Sequence, residues 1–135
     1  MTYAIPYQNY HIHCSIEGKG NPVVFLHGWP NNSKLWNAQV EALKSNCKVI
    51  TLDWLGFGQS NKPVDFHYTF TKQKEMLEEV LSTVLEEGEK VTLVGHDIGG
   101  PPTILWASEN EERVEQLILL NTILYTFKTP LDAFS

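Results

Sequence analysis

Seven consecutive residues, Val94-Gly95-His96-Asp97-Ile98-Gly99-Gly100, constrain the fold of this chain more than any other stretch, because they require a strand to turn sharply into a helix. The preceding Lys90-Val91-Thr92-Leu93-Val94 is β-branched and runs into glycine, the pattern of a central strand. Beyond the turn, Thr103-Ile104-Leu105-Trp106-Ala107 reads as helix. Gly95, Gly99 and Gly100 supply the small-residue spacing of a nucleophile elbow, where the turn residue sits in strained backbone and the lack of bulk lets strand and helix approach closely. The elbow usually carries serine; here it carries Asp97. Neighbouring amides and the helix N-terminus would stabilise an ionised carboxylate, the reactive form of such a nucleophile. Pro101-Pro102 predicts a helix that starts late or is distorted, since Pro102 has no N–H to donate back to residue 98.

Two further segments have the same strand-then-glycine design. In Pro22-Val23-Val24-Phe25-Leu26-His27-Gly28-Trp29-Pro30, an apolar strand ends in a glycine that lets the backbone turn. The Trp29 amide could then face a ligand and pair with the Ile98 amide as a two-donor oxyanion hole. In Lys48-Val49-Ile50-Thr51-Leu52-Asp53-Trp54-Leu55-Gly56-Phe57-Gly58-Gln59-Ser60, a strand runs into a glycine-rich loop. That loop lacks the Lys of a phosphate loop and the third glycine of a dinucleotide fingerprint. Asp53 reads as an acceptor for amides of its own loop rather than as a catalytic group.

Taken together and in this order, the three segments closely resemble the α/β-hydrolase family. His27-Gly28-Trp29-Pro30 looks like its oxyanion loop, Asp53 to Ser60 like its Asp-x-x-Gly-x-Gly-x-Ser loop, and Asp97 sits where the family places its nucleophile. Gly95-His96-Asp97-Ile98-Gly99-Gly100 and Gly58-Gln59-Ser60-Asn61-Lys62-Pro63 are similar to the aspartate-using branch, the haloalkane dehalogenases and epoxide hydrolases. The likeness runs from Gln8 to Asn121. It implies that residues 1–135 are the N-terminal part of a hydrolase domain, with the motifs in 22–121 and the connection to a lid beginning in 122–135. The family's histidine base and its acidic partner would then lie after Ser135, because no histidine follows His96. The isolated chain is accordingly expected to lack turnover.

The resemblance implies hydrolysis of a small apolar organic substrate through a covalent ester on Asp97, with the substrate otherwise unspecified. An epoxide hydrolase is the second reading and a haloalkane dehalogenase the third. Dehalogenases commonly place Trp after the nucleophile, and many place Asn after His-Gly, to hold the departing halide. Those positions here are Ile98 and Trp29, so one donor is missing. A rival of another class is a non-catalytic binding module on a degenerate hydrolase fold.

Composition narrows the remaining choices. The chain has 135 residues, 42% of them hydrophobic, enough for one core. A net charge of −6 and a single arginine, Arg113, leave no basic stripe for nucleic acid. No N-terminal signal and no membrane span is legible, and Cys14 and Cys47 read as unpaired thiols, which together suggest a cytoplasmic protein. His11 and His13 have no third ligand spaced to join them, and no cofactor is called for. His96 should point away from its neighbour Asp97 and reads as a core or hydrogen-bonding residue, and Trp36 and Trp106 read as helix packing.

The pattern predicts strands over Tyr10–Ile16 (near the sheet edge), Val23–Leu26, Cys47–Leu52, Lys90–Val94 and Arg113–Leu120. It predicts helices from Ser33 or Lys34 to Leu43, with Leu35, Trp36, Gln39, Val40 and Leu43 near one face, and from Thr69 or Thr71 to Gly88. The fold class is therefore α/β, a mostly parallel sheet with helices on both faces. Trp29, Asp53, Asp97 and Thr122 all fall at strand carboxyl ends, where such sheets bind ligands. Leu117-Ile118-Leu119-Leu120 would be an uncapped edge, open to non-specific self-association.

Overall fold

The computed structural model describes residues 1–123; residues 124–135, where the connection to a lid is expected, lie outside the described residues. Six strands form one sheet: β1 (Thr2–Tyr7), β2 (Tyr10–Glu17), β3 (Asn21–Leu26), β4 (Cys47–Leu52), β5 (Val91–His96) and β6 (Val114–Leu120). Their spatial order is β1-β2-β4-β3-β5-β6. The β1–β2 and β2–β4 pairs are antiparallel, whereas β4–β3, β3–β5 and β5–β6 are parallel. The sheet is thus mixed, with its parallel half at the elbow.

β1 is an element the sequence pattern does not predict. Its alternation is weak, Thr-Tyr-Ala-Ile-Pro-Tyr, and only Ile5 and Tyr7 are buried. It makes a hairpin with β2 through Gln8, which takes a positive φ of 52°. β2 is therefore the second strand in from the edge, near it as its pattern predicts.

Helices α2 (Phe70–Val84) and α3 (Gly100–Glu109) pack on one face of the sheet and α1 (Asn37–Leu43) on the other. Thr69 caps α2, its side chain accepting from the Lys72 N–H at 3.1 Å. Met76, Leu77, Val80 and Leu81 recur at helical spacing and bury against Ile12, Val24, Ile50, Leu52, Leu93 and Trp106 in the main core. α2 stops at Val84, four residues short of the predicted Gly88.

The other face is thinner: Phe25, Trp36, Val49 and Val94, with Val23, Val40 and Leu43 beside them. The predicted Ser33–Leu43 helix divides into a 3-10 turn, Ser33–Trp36, followed by α1. The tighter turn has three residues per turn and changes the phase, leaving Leu35 and Gln39 exposed while Trp36 faces the sheet.

Cys14 is fully buried, and both cysteines are unpaired. Burial, with a smaller push from the charge of Asp53, raises the Cys14 thiol to about 12. Trp106 is buried, its indole N–H donating to Glu78. Among the described residues no helix is long and apolar enough to cross a membrane, and no cluster of three potential metal ligands occurs.

Candidate active site

β5 ends at His96, and the next residue, Asp97, takes a φ of 54°. For a non-glycine residue that left-handed conformation costs roughly 1–2 kcal/mol and persists only where the surroundings impose it. A 3-10 turn, Asp97–Gly99, then leads into α3, which starts at Gly100. This resolves the Pro101-Pro102 problem. Both prolines fall in the first turn of α3, where amides have no helical partner and a missing N–H costs nothing. The helix begins late, as its prolines require.

Close approach is what the glycines permit here. A Cβ on Gly28 would lie 2.4 Å from Asp97 Cβ and 2.6 Å from its Oδ2. One on Gly99 would lie 2.4 Å from the His27 carbonyl oxygen. The loop after β3 and the turn after β5 are therefore in direct contact. Across that contact the Trp29 N–H donates to Asp97 Oδ2 at 2.9 Å. The Ile98 side chain is buried, at 3% exposure, while the Trp29 residue is 64% exposed. The three predicted site residues converge: Trp29 by a direct bond to Asp97, and Ile98 as the next residue of the turn.

The neighbouring loops brace this arrangement. His27 is fully buried, and its Nε2 accepts from the Trp54 N–H at 3.2 Å, which leaves Nδ1–H to donate to the Gly28 carbonyl at 2.9 Å. The Trp54 indole N–H returns a bond to the His27 carbonyl at 2.8 Å. Burial lowers the affinity of His27 for a second proton, so the ring is held neutral as a strut. In the sequence His27 stands out only as part of a motif; its position at the end of an apolar strand is the available signal for this role.

Asp53 is buried, accepting from Gln59 N at 2.9 Å within its own loop and from Ser33 N at 2.6 Å at the start of the turn before α1. It ties two loops together and makes no bond to Asp97. His96 lies edge-on to Trp36, with ring centroids 6.2 Å apart, on the thin α1 face. Its ring is thus turned to packing. Among the described residues no histidine hydrogen-bonds Asp97. Thr122, after β6, reaches the elbow from the other side: its hydroxyl donates to the Asp97 carbonyl at 2.6 Å. Its place at a strand end is legible in the sequence, its role is not.

A family model described as alpha/beta hydrolase fold matches residues 21–133. The cis-3-alkyl-4-alkyloxetan-2-one decarboxylase of Shewanella oneidensis is 38% identical over 112 residues, covering 82% of this chain and 35% of that protein. The soluble epoxide hydrolase of a Corynebacterium species is 36% identical over 115 residues, covering 84% of this chain and 39% of its own length. Among solved structures, the haloalkane dehalogenase of Agrobacterium tumefaciens superposes with a TM-score of 0.84 at 32% identity, covering 94% of this chain and 43% of that one. The chain spans less than half the length of the curated relatives it matches.

Proposed function

The chain belongs to the alpha/beta hydrolase fold family, closely related to its epoxide hydrolase and haloalkane dehalogenase branch, and on that premise we propose that Asp97 is the nucleophile of a hydrolase working through a covalent ester. The observation that carries this reading is the 2.9 Å bond from the Trp29 N–H to one carboxylate oxygen of a residue at positive φ. It leaves Oδ1 as the attacking atom. Oδ1 attacks a carbon bearing oxygen or halide, the bond to the leaving atom breaks, and an alkyl ester of Asp97 forms. Water, losing a proton to a base, then adds to Cγ of the Asp97 ester; Oδ2 carries the negative charge of the tetrahedral intermediate, whose collapse breaks the Cγ–Oδ1 bond, releases the product alcohol on protonation and restores the carboxylate. The Trp29 and Ile98 amides are the intermediate's oxyanion hole. A group outside the described residues supplies the base for that water.

On the same reading, residues 1–135 are the N-terminal part of the catalytic domain, with the motifs in 22–121 and the lid connection starting at 122. The substrate is small and organic. A strained ring oxygen suits the site better than a halide: a departing halide must be held by side-chain N–H groups beside the nucleophile, where Ile98 offers none and an unpaired ion costs about 1–3 kcal/mol, whereas the alkoxide of an opened ring is neutralised by a proton from an acid outside the described residues. Two relatives bear names of ring substrates or activities, an epoxide and an oxetan-2-one. The oxetan-2-one also presents a carbonyl, so direct attack there is the second reading. The free thiols favour a cytoplasmic setting.

Mass spectrometry after incubation of dilute protein with 1,2-epoxyhexane, 1-bromobutane and a dialkyl oxetan-2-one tests the assignment. An adduct on Asp97 is expected, strongest with a ring substrate. Modification confined to other carboxylates, with Asp97 unlabelled, overturns it.

Self-association through β6 belongs to the same proposal. β6 is a terminal strand of the described sheet, and Leu117, Ile118 and Leu120 are 39%, 41% and 42% exposed. Ile118 and Leu120 pair with Val94 and His96 beside the thin α1 face. The 135-residue chain should elute in size exclusion as species larger than a monomer, and I118K with L120K should shift it toward monomer. A sharp monomer peak from the unmodified chain would refute this.

A further inference from the structure

We infer that Thr122 is a positioning residue that aims the Ile98 amide into the oxyanion hole by holding the far side of the same peptide unit; this rests on the reading of Asp97 as nucleophile. The peptide joining Asp97 to Ile98 is a rigid plane, with the residue 97 carbonyl and the residue 98 N–H pointing in opposite directions. Fixing one end fixes the other. The Asp97 carbonyl accepts two bonds: from the Gly100 N–H, which closes the 3-10 turn, and from the Thr122 hydroxyl at 2.6 Å. The first comes from the turn itself and moves with it. Thr122 is anchored outside the turn, two residues beyond β6, which pairs with β5 along its length. It therefore ties the strained peptide to the sheet.

A second observation points the same way. A Cβ built on Gly100 would lie 1.7 Å from Thr122 Oγ1 and 2.5 Å from Thr122 Cβ. Gly100 has ordinary helical backbone, with φ −67°, so this position does not need glycine for its dihedrals. The space beside it is taken by the threonine that holds the carbonyl. One consequence concerns the second half of the reaction above all. During alkylation Oδ2 only becomes a carbonyl oxygen, but during ester hydrolysis it becomes a full oxyanion and needs both amides. Loss of the Thr122 hydroxyl should slow ester hydrolysis while leaving ester formation nearly unchanged.

Hydrolysis by solvent hydroxide makes this measurable without a catalytic base. The chain is esterified with a small diazoacetamide, which transfers its alkyl group to carboxylic acids with loss of nitrogen, and ester loss at pH 9 is followed by mass spectrometry. Esters on exposed glutamates, such as Glu41, serve as the internal reference. In the unmodified chain the Asp97 ester should decay faster than the reference. T122V should slow the Asp97 ester by on the order of tenfold, less than outright loss of a hole donor, with the reference unchanged. T122S, which keeps the hydroxyl, should restore the rate. Equal decay in T122V and the unmodified chain would overturn the inference, and so would an Asp97 ester that decays no faster than the reference before any substitution. Fast Asp97 ester decay that T122V slows, in a chain that 1,2-epoxyhexane fails to label, would sustain the Thr122 role and remove the alkylation chemistry alone.

Discussion

D97N should abolish formation of the covalent ester, lowering labelling by 1,2-epoxyhexane roughly 10⁴-fold or more, as expected when the nucleophile of a covalent mechanism is lost. The amide oxygen of asparagine is neutral, and no donor around it creates the missing charge. The substitution nevertheless preserves the geometry. Asparagine is of similar size, tolerates positive φ better than most residues, and its side-chain oxygen can still accept from the Trp29 N–H. Thermal stability should therefore change by no more than about 1 kcal/mol, the net worth of one hydrogen bond. That combination, intact fold with lost labelling, separates a nucleophile from a structural carboxylate. Asp53 provides the contrast. It accepts from Ser33 and Gln59 in a buried position, so D53N presents an NH₂ group where one of two N–H donors requires an acceptor. It should lose stability first. Labelling that survives D97N would end the nucleophile assignment.

What can be read from the sequence follows from how local each signal is. The elbow, the glycine turn after β3 and the Asp53 loop are each written within a dozen residues, and short parallel strands between them are apolar runs without rivals. Their convergence is therefore legible before any contact is known. β1 is not, because Thr2–Tyr7 owes its structure to pairing with β2 rather than to its own pattern. The phase of Ser33–Leu43 fails for a related reason. Asn32 caps a 3-10 turn by accepting from the Lys34 N–H, and that turn is joined to the Asp53 loop by the Ser33 bond, which no helical periodicity encodes. Thr122 acts through one bond to a backbone carbonyl in another segment, and His27 through ring bonds to the Gly28 carbonyl and from the Trp54 N–H; such bonds leave no trace in spacing. The Pro101-Pro102 anomaly is visible, and its resolution, a separate turn before α3, is among the outcomes it allows.

G99A should destabilise the chain by about 3 kcal/mol, at the upper end of the cost of forcing one extra carbon into a packed interior. With the entropy of unfolding of a chain this size, that corresponds to a fall of roughly 10 °C in Tm. The cause is steric rather than conformational. Gly99 has φ −72°, open to any residue, but a Cβ there would sit 2.4 Å from the His27 carbonyl oxygen and 2.8 Å from that of Leu26. Both obstacles are backbone at the end of β3, a strand paired on both sides by β4 and β5, so neither can swing aside as a side chain would. Relief must come by pushing the elbow away from the loop, which stretches the Trp29–Asp97 bond and the His27–Trp54 brace together. Labelling of Asp97 should therefore fall along with stability. G88A is the matched control. Gly88 has φ 78°, and a Cβ there would meet nothing within 4 Å, so alanine incurs only the left-handed backbone penalty of about 1 kcal/mol. A Tm loss in G99A no greater than in G88A would mean that strand and elbow separate freely, and that the close contact between them does not hold the site.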